Sequence, residues 1–456
     1  MLKKLIKSWA RTSNILNSNE DILKWVEELN NSLDVNIISN KLSDSSYWFY
    51  DRESGSVRNK NNSFFAIKGL QVRIEEKLVL EQPTIIQDEI GYLGIICKEI
   101  DGVIYFLMQA KIEPGNINKI QISPTIQATK SNFTQQHGGK KPAYLDYFVN
   151  ANSHTIVVDQ IQSEQSSRFF CKRNRNIIIK VDAPIEVLKS HKWMTLGQLK
   201  QLMRYDNLVN MDTRTVLSCI PFSTLKYEGE DLSGYFTDKA FYRSIMEKNL
   251  SEELSTIYNY INNYKMFDET MNSIVPLHNL DRWEMKDDGI FCKEQYSFSV
   301  IYCDIEVESR EVREWDQPLF KAEGIATFGL CTTIVDGVRK FLVCAKPEVG
   351  CFDKIELGPT IQLESVRENE ESNIERKFFA NYNQKENVLY DVILSEEGGR
   401  FYHEQNRNII IDITMEQVGK LPEGYFWVTY STLNIMTQFN NCLNIQLRNL
   451  LSLLEV

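Results

Sequence analysis

The sequence predicts an α+β protein made by tandem duplication, and three observations predict it. The stretch AKIEPGNINKIQISPTIQ at 110–127 returns as AKPEVGCFDKIELGPTIQ at 345–362, a displacement of 235 positions that takes Glu113 to Glu348. Just upstream, IDGVIYFLMQAK and VDGVRKFLVCAK each set an Asp-Gly pair between two β-prone runs, the mark of a tight hairpin. Strand-like runs fill the middle of each copy, with helical runs before and after, which is the α+β pattern of a mixed sheet in each half.

The remaining elements follow in order. Each half opens on a charged helical run, NEDILKWVEELNNSL or SEELSTIYNYINNY, then reaches Trp48 or Trp283, an Asp/Gly turn and a strand. Downstream of the hairpin, SEQSSRFFCKRNRNIII (163–179) matches SEEGGRFYHEQNRNIII (395–411) at an offset of 232, so three residues are lost in between. The ends, WMTLGQLKQLMRYDNLVNMDTRTVLS and WVTYSTLNIMTQFNNCLNIQLRNLLS, align as a helix, a short connection and a second helix. A unit of more than 200 residues is a duplicated domain and no solenoid repeat. The halves divide near residue 225, in the polar, turn-rich PFSTLKYEGEDLSGYFTDKA, giving domains 1–225 and 226–456.

Composition narrows the function. A formal net charge of −11 argues against a general grip on nucleic acid or an anionic membrane, both of which need a basic surface. No run approaches the ~20 apolar residues of a membrane span, and MLKKLIKSWARTSN lacks the apolar core of a signal peptide. Nine cysteines without a Cys-x-x-Cys pair fit a reduced, cytoplasmic protein. Five histidines show no His-x-x-x-His spacing, so no dedicated metal site is expected.

The residues held alike in both copies include apolar strand positions, which packing explains, and polar loop positions, which packing does not. Lys111 and Glu113, two apart at a strand exit, project to one side before Gly115 turns the chain. An ammonium beside a carboxylate can tune its pKa or hold a hydroxylated substrate. Thr125, Gln127 and Thr129 alternate in PTIQATKSNF and, with Asn132, offer a row of short donors and acceptors suited to sugar or phosphate oxygens. Glu164, Arg168, Arg173, Asn174 and Arg175 follow; arginine forks match diphosphate oxygens. Arg168 and Arg175 are echoed by Arg400 and Arg407, whereas Gln405 stands opposite Arg173.

These same words carry a resemblance. AKIEPGNINKIQISPTIQATKSNFT, QSEQSSRFF, KRNRN and NLVNMDTRTVLSCIP resemble the NDP-hexose 2,3-dehydratases of deoxysugar biosynthesis, and PTIQ with SEEGGRFYHEQNRN resembles that family's second half. The likeness runs over nearly the whole chain in the family's order. It implies a Nudix-like domain in each half, a mixed sheet flanked by helices, but without the Nudix box. The closest text, SREVREW at 309–315, has Trp315 where the last Glu is needed, and Tyr296 and Tyr302 where the box needs Gly and Glu. Without those carboxylates there is no magnesium cage for cleaving a diphosphate.

The resemblance implies elimination of water across C2 and C3 of a nucleotide-linked 4-keto-6-deoxyhexose, most commonly the thymidine form. It implies no cofactor, a homodimer, and a separate NAD(P)H-dependent 3-ketoreductase that consumes the diketo product. Lys111 with Glu113 is the expected acid/base pair, with Glu164, Tyr144, His137 and His154 as alternatives. Thr125, Gln127, Thr129 and Asn132 are expected to hold sugar or phosphate, and Arg168, Arg173 and Arg175, with Asn174 beside them, the diphosphate. Arg214, echoed by Arg448, anchors its helix or reaches the ligand. EPG and NMDTRTVLSCIP stand in the first half as in the family, while Val349 and NIQLRNLLSLL replace them in the second. Catalysis is therefore expected in the first half. Lys346, Glu348, Thr360, Gln362, Glu396, Arg400 and Arg407 would form a second, non-catalytic pocket.

Two other classes compete: a nucleotide-sugar-binding module without turnover, and a divergent nucleoside-diphosphate hydrolase. A dinucleotide-dependent oxidoreductase is disfavoured, because there is no Gly-x-Gly-x-x-Gly turn and no Tyr-x-x-x-Lys helix.

Overall fold

The computed structural model describes residues 1–129, 141–152, 155–227, 229–307, 313–366, 374–383 and 386–456. Both Asp-Gly pairs form the expected hairpins. Asp101 and Gly102 have φ of 49° and 74°, and Asp336 and Gly337 have 49° and 75°. Two successive positive φ values are what a two-residue turn matching the right-handed strand twist requires. The turns join Gly91–Ile100 to Val103–Ile112 and Ala326–Val335 to Val338–Pro347.

Each hairpin is the centre of a seven-stranded mixed sheet. In the first half the order is Ile156–Ser163, Arg173–Lys180, Gly91–Ile100, Val103–Ile112, His191–Thr195. Ile120–Ser123 also pairs with Val103–Ile112, and Ile126–Ala128 with Gly91–Ile100. Only the contact between Arg173–Lys180 and Gly91–Ile100 is parallel. The second half repeats the plan with Val388–Ser395, Gln405–Asp412 and Tyr425–Thr429 around its hairpin. The NIII runs supply the reason: Ile177, Ile178 and Ile179, like Ile409, Ile410 and Ile411, are buried on both faces of a central strand.

Two six-stranded sheets complete the fold, and each borrows a strand. Val35–Asn40 of the first half pairs with Phe298–Val307, while Met271–Val275 pairs with Ala66–Ile74. The lead-in of each half therefore finishes the small sheet of the other.

The expected helices form with definite caps. Asn19–Asn31 starts with a capping box between Ser18 and Asp21, and Leu196–Leu202 with one between Thr195 and Gln198. Met211–Ser218 and Ile445–Leu453 are capped by the side chains of Asn210 and Asn444. These last two helices pack on each other at the centre, every residue of both buried. Polar side chains buried there must find partners, and those of Arg214 and Arg448 come from the opposite half. All nine cysteines are free thiols. No helix among the described residues is long and apolar enough to cross a membrane.

Candidate active site

Lys111 and Glu113 leave the strand Val103–Ile112 on one side, as their spacing predicts, and the ammonium lies 3.0 Å from Glu113 Oε1. Gln127, on Ile126–Ala128, donates to the same oxygen at 2.8 Å. Asn210, at the helix N-terminus, reaches Gln127 Oε1 at 3.4 Å. Two residues on, Asp212 is buried and faces Glu164, Glu397, Glu113 and Lys111; burial, then those carboxylates, push its carboxyl up.

The fourth wall comes from the other half of the chain. The backbone N–H of Gly398 donates to Glu113 Oε2 at 3.2 Å, Gly115 N–H donates to the Gly398 carbonyl at 2.6 Å, and His403 N–H donates to the Gly115 carbonyl at 2.8 Å. A Cβ on Gly115 would overlap the Phe401 carbonyl. The glycine in Lys-x-Glu-x-Gly is thus needed for close approach of a second backbone. The exchange is reciprocal: a Cβ on Gly350 would overlap the carbonyls of Phe169 and Ser166, and Cys171 N–H donates to the Gly350 carbonyl at 2.7 Å.

Each pocket is therefore composite, closed by the loop that follows a strand of the opposite half. Residues 396–403 cover the first pocket and residues 164–171 cover the second. The expected grouping is corrected on this point. Arg400 does not sit with Lys346 and Glu348. Its guanidinium lies over the Phe65 ring at 4.3 Å, bonds Gln87 at 3.3 Å, and faces Glu397 and Glu113. Conversely, Arg168 is buried over the Phe298 ring at 4.2 Å with Glu364 at 3.3 Å, and Arg173 stacks on Phe352 at 3.7 Å. Both arginines reach into the second half.

Further expectations are corrected by how the side chains are engaged. Thr125 accepts from Ile96 N–H at 2.9 Å and donates to the Leu107 carbonyl; Thr360 does the same with Cys331 and Leu342. Those hydroxyls join neighbouring strands and are closed to a ligand. Arg175 and Arg407 each grip an aspartate, Asp159 and Asp391, and a tyrosine, Tyr92 and Tyr382, so their forks are occupied. The Tyr144 hydroxyl donates to the Glu186 carbonyl at 2.8 Å and accepts from Leu188 N–H at 3.1 Å, so it is taken up in closing a loop.

Asn174 donates to Glu164 at 2.7 Å, as Asn406 does to Glu396. Burial raises both carboxyls, that of Glu396 to about 8. Arg214 is buried and donates to the Ser395 carbonyl at 2.6 Å, while Arg448 donates to the Ser163 carbonyl. Thr129 is half-buried just beyond Ile126–Ala128. His137, His154 and Asn132 lie outside the described residues.

The second pocket repeats the first with altered chemistry. Glu348 accepts from Gln362 at 2.7 Å, but Lys346 pairs with Glu375 at 2.5 Å. The halves also place Gln165 where the other has Glu397, Gln446 where it has Asp212, and Glu404 where it has Lys172. Sequence reasoning missed Glu397 and Asp212. Both stand where the copies differ, a carboxyl opposite an amide, and not among the residues the copies share. Among the described residues no cluster of three His, Cys, Asp or Glu is arranged for a metal ion.

In the first pocket, burial pushes the Glu397 carboxyl up to about 7, with Arg400 opposing and Glu113 and Glu164 adding to the shift. Lys172, whose ammonium bonds the Glu89 carbonyl, is lowered to about 8 by burial. Perturbed acids and bases grouped around one ammonium are suited to proton transfer near neutral pH.

Residues 19–220 and 254–454 both match the family model described as NDP-hexose 2,3-dehydratase. The chain is similar to a protein of Saccharopolyspora spinosa named dTDP-4-dehydro-6-deoxy-alpha-D-glucopyranose 2,3-dehydratase, 38% identical over 417 residues, covering 90% of this chain and 86% of that one. A protein of the same name from Streptomyces violaceoruber is 36% identical, covering 94% of this chain and 95% of its own. Another from Amycolatopsis orientalis is 32% identical, covering 98% and 92%.

Proposed function

The chain belongs to the NDP-hexose 2,3-dehydratase family, and from that premise we propose that it removes water across C2 and C3 of dTDP-4-keto-6-deoxyglucose in its first pocket. The observation that carries this reading is the composite cluster in which the Lys111 ammonium is surrounded by Glu113, Asp212 and Glu397.

The chemistry needs a base for the C3 proton, positive charge at the C4 oxygen and a proton for the departing hydroxyl. The C4 ketone acidifies C3–H and accepts the electron pair, so the substrate is its own electron sink and no cofactor takes part. Glu113 accepts hydrogen bonds from Lys111, Gln127 and Gly398, donors that suit a carboxylate held in one orientation. It is the base. Lys111, 17% exposed and charged beside it, stabilises the enolate oxygen. Arg400 is the guanidinium placed for the anionic part of the substrate.

The same reading takes each half, dividing near residue 225, as a Nudix-like scaffold, supported by the mixed sheet built on a hairpin. It makes the second pocket non-catalytic, supported by its two amides. Free thiols support a cytoplasmic setting. A reactive diketo product calls for a separate NAD(P)H-dependent 3-ketoreductase downstream, and the assembly is a homodimer.

The test is to incubate EDTA-treated protein with dTDP-4-keto-6-deoxyglucose, a 3-ketoreductase and NADPH. Protein-dependent NADPH loss is expected, with a product that has lost one water and gained two hydrogens. Binding of the sugar nucleotide without turnover overturns the reading in favour of a binding module.

A further inference from the structure

We infer that Glu397, contributed by the second half of the chain, is the catalytic acid that gives its proton to the departing C2 hydroxyl in the first pocket. This rests on the dehydration reading and deepens it. The loop 396–403 is pinned to the first pocket by two backbone hydrogen bonds between Gly115 and residues 398–403, and by the Gly398 N–H that donates to the Glu113 carboxyl. Its Gly-Gly pair lets the Glu397 side chain fold back over the site. A Cβ on Gly399 would overlap Glu397 Oε1 and stand 3.9 Å from Glu113 Oε1, so the two carboxyls flank one point.

They differ in how they are held. Glu113 is 3% exposed and accepts from three donors, whereas Glu397 is half-buried and, among the described residues, no hydrogen bond ties its carboxyl. A group that must meet a substrate hydroxyl needs that reach and that freedom. Asp212, also protonatable, is 2% exposed behind them.

The second pocket supplies the contrast. At the equivalent place its covering loop carries Gln165, which donates to Glu404 at 3.3 Å. A glutamine fills the same space and can hydrogen-bond a sugar, but it has no proton to give. The duplication thus keeps two pockets and leaves the acid in one.

The step balances. Glu113 takes the C3 proton, and the C–H pair becomes the enolate double bond with charge on the C4 oxygen. The enolate collapses, the C2–O bond breaks, and Glu397 protonates the leaving oxygen, so water departs. The product is a 3-hydroxy-2,3-enone that tautomerises to the 3,4-diketone. The proton on Glu113 returns to Glu397 to close the cycle. Arg400, Lys111 and Lys172 on one side, and Glu113, Glu164 and Asp212 on the other, set the charge around Glu397. Its carboxyl at about 7 keeps a sizeable fraction protonated at neutral pH.

The experiment compares the full-length wild type with Glu397→Gln and Glu397→Asp in the coupled assay, in D2O, with dTDP affinity measured alongside. Glu397→Gln should lower kcat about a hundred- to ten-thousand-fold. It should keep dTDP affinity, and unreacted substrate should still take up deuterium at C3, because the base is intact. Glu397→Asp should recover part of the loss. In the wild type, kcat should fall as pH rises above about 7, where the acid is lost. Elimination within a few-fold of wild type in Glu397→Gln overturns the assignment. So does loss of C3 exchange at unchanged affinity, which would make Glu397 the base, and so does a flat wild-type kcat between pH 6 and 9. A wild type that never eliminates water sinks the dehydration reading itself, a separate result.

Discussion

Gly115 shows how one residue can be written twice for a reason that lies in the other half of the chain. Its missing side chain admits the Phe401 carbonyl, and Gly350 admits those of Phe169 and Ser166. In Gly115→Ala the loop 396–403 must move off the first pocket, because a strand-end Cβ and a carbonyl cannot share one space. kcat should fall at least tenfold while unfolding free energy falls by about 1–3 kcal/mol, the usual range for overpacking; coupled assay and urea denaturation check both. Thr125 offers the opposite lesson. Its hydroxyl bonds Ile96 N–H and the Leu107 carbonyl, so Thr125→Val leaves buried groups unpaired and should cost about 1–3 kcal/mol of stability with KM unchanged. A raised KM at unchanged stability would restore the sugar-binding role. Repetition made Lys111, Glu113, Gly115, Gln127 and Thr125 legible together, but repetition selects for structure and for ligand alike. Only the partners each side chain meets separate them: Thr125 is taken up by backbone, Glu113 by Lys111 and Gln127.

At the level of elements, the paired helices Met211–Ser218 and Ile445–Leu453 act as clamps. Arg214 holds the Ser395 carbonyl at the root of the loop that closes the first pocket, and Arg448 holds Ser163 at the root of the other. Arg214→Met keeps bulk and apolar packing but leaves that carbonyl without its donor, which should cost about 1–3 kcal/mol and lower kcat by freeing the loop. Arg448→Met should cost comparable stability and affect kcat less, since its loop covers the pocket with amides. Equal losses of kcat would mean that the arginines act through the whole interface. The helices, their order and the echo of Arg214 in Arg448 are legible from the alignment of the two copies. Their partners were not: a period of 235 says which segments correspond, never which copy a loop packs on, and the bond from Arg214 to Ser395 spans 181 positions. The repeat alone therefore points Arg400 and Arg168 each to the pocket of its own half, whereas both reach into the opposite one.

The whole molecule is held by exchange: a strand, a loop and an arginine pass each way, so neither half completes its sheets or its pocket alone. The cost of bringing two pocket-closing loops to one centre is a concentration of buried ionisable groups, and this gives stability a definite pH dependence. Burial raises the carboxyls of Glu356 and Glu397 to about 7 and Glu396 to about 8, against an unfolded value of ~4.3. The folded state binds these protons more tightly, so their contribution is complete below about pH 4 and is lost as pH rises through 7 to 8. Lys200 and Lys172 run the other way: burial lowers them to about 7 and about 8, so the folded state binds their protons less tightly. Their contribution is complete only above the unfolded lysine value of ~10.4 and is lost as pH falls through 8 and 7. The two sets together place the weakest point near pH 8. Urea-unfolding free energy should therefore decline from pH 5.5 to 7.5 and recover in part above pH 9, and Glu396→Gln, which keeps the shape but removes the titrating carboxyl, should flatten the declining limb. A stability that climbs steadily from pH 5.5 to 7.5 would mean that these carboxyls stay ionised in the fold and are neutralised by Arg214, Arg400 and Arg448.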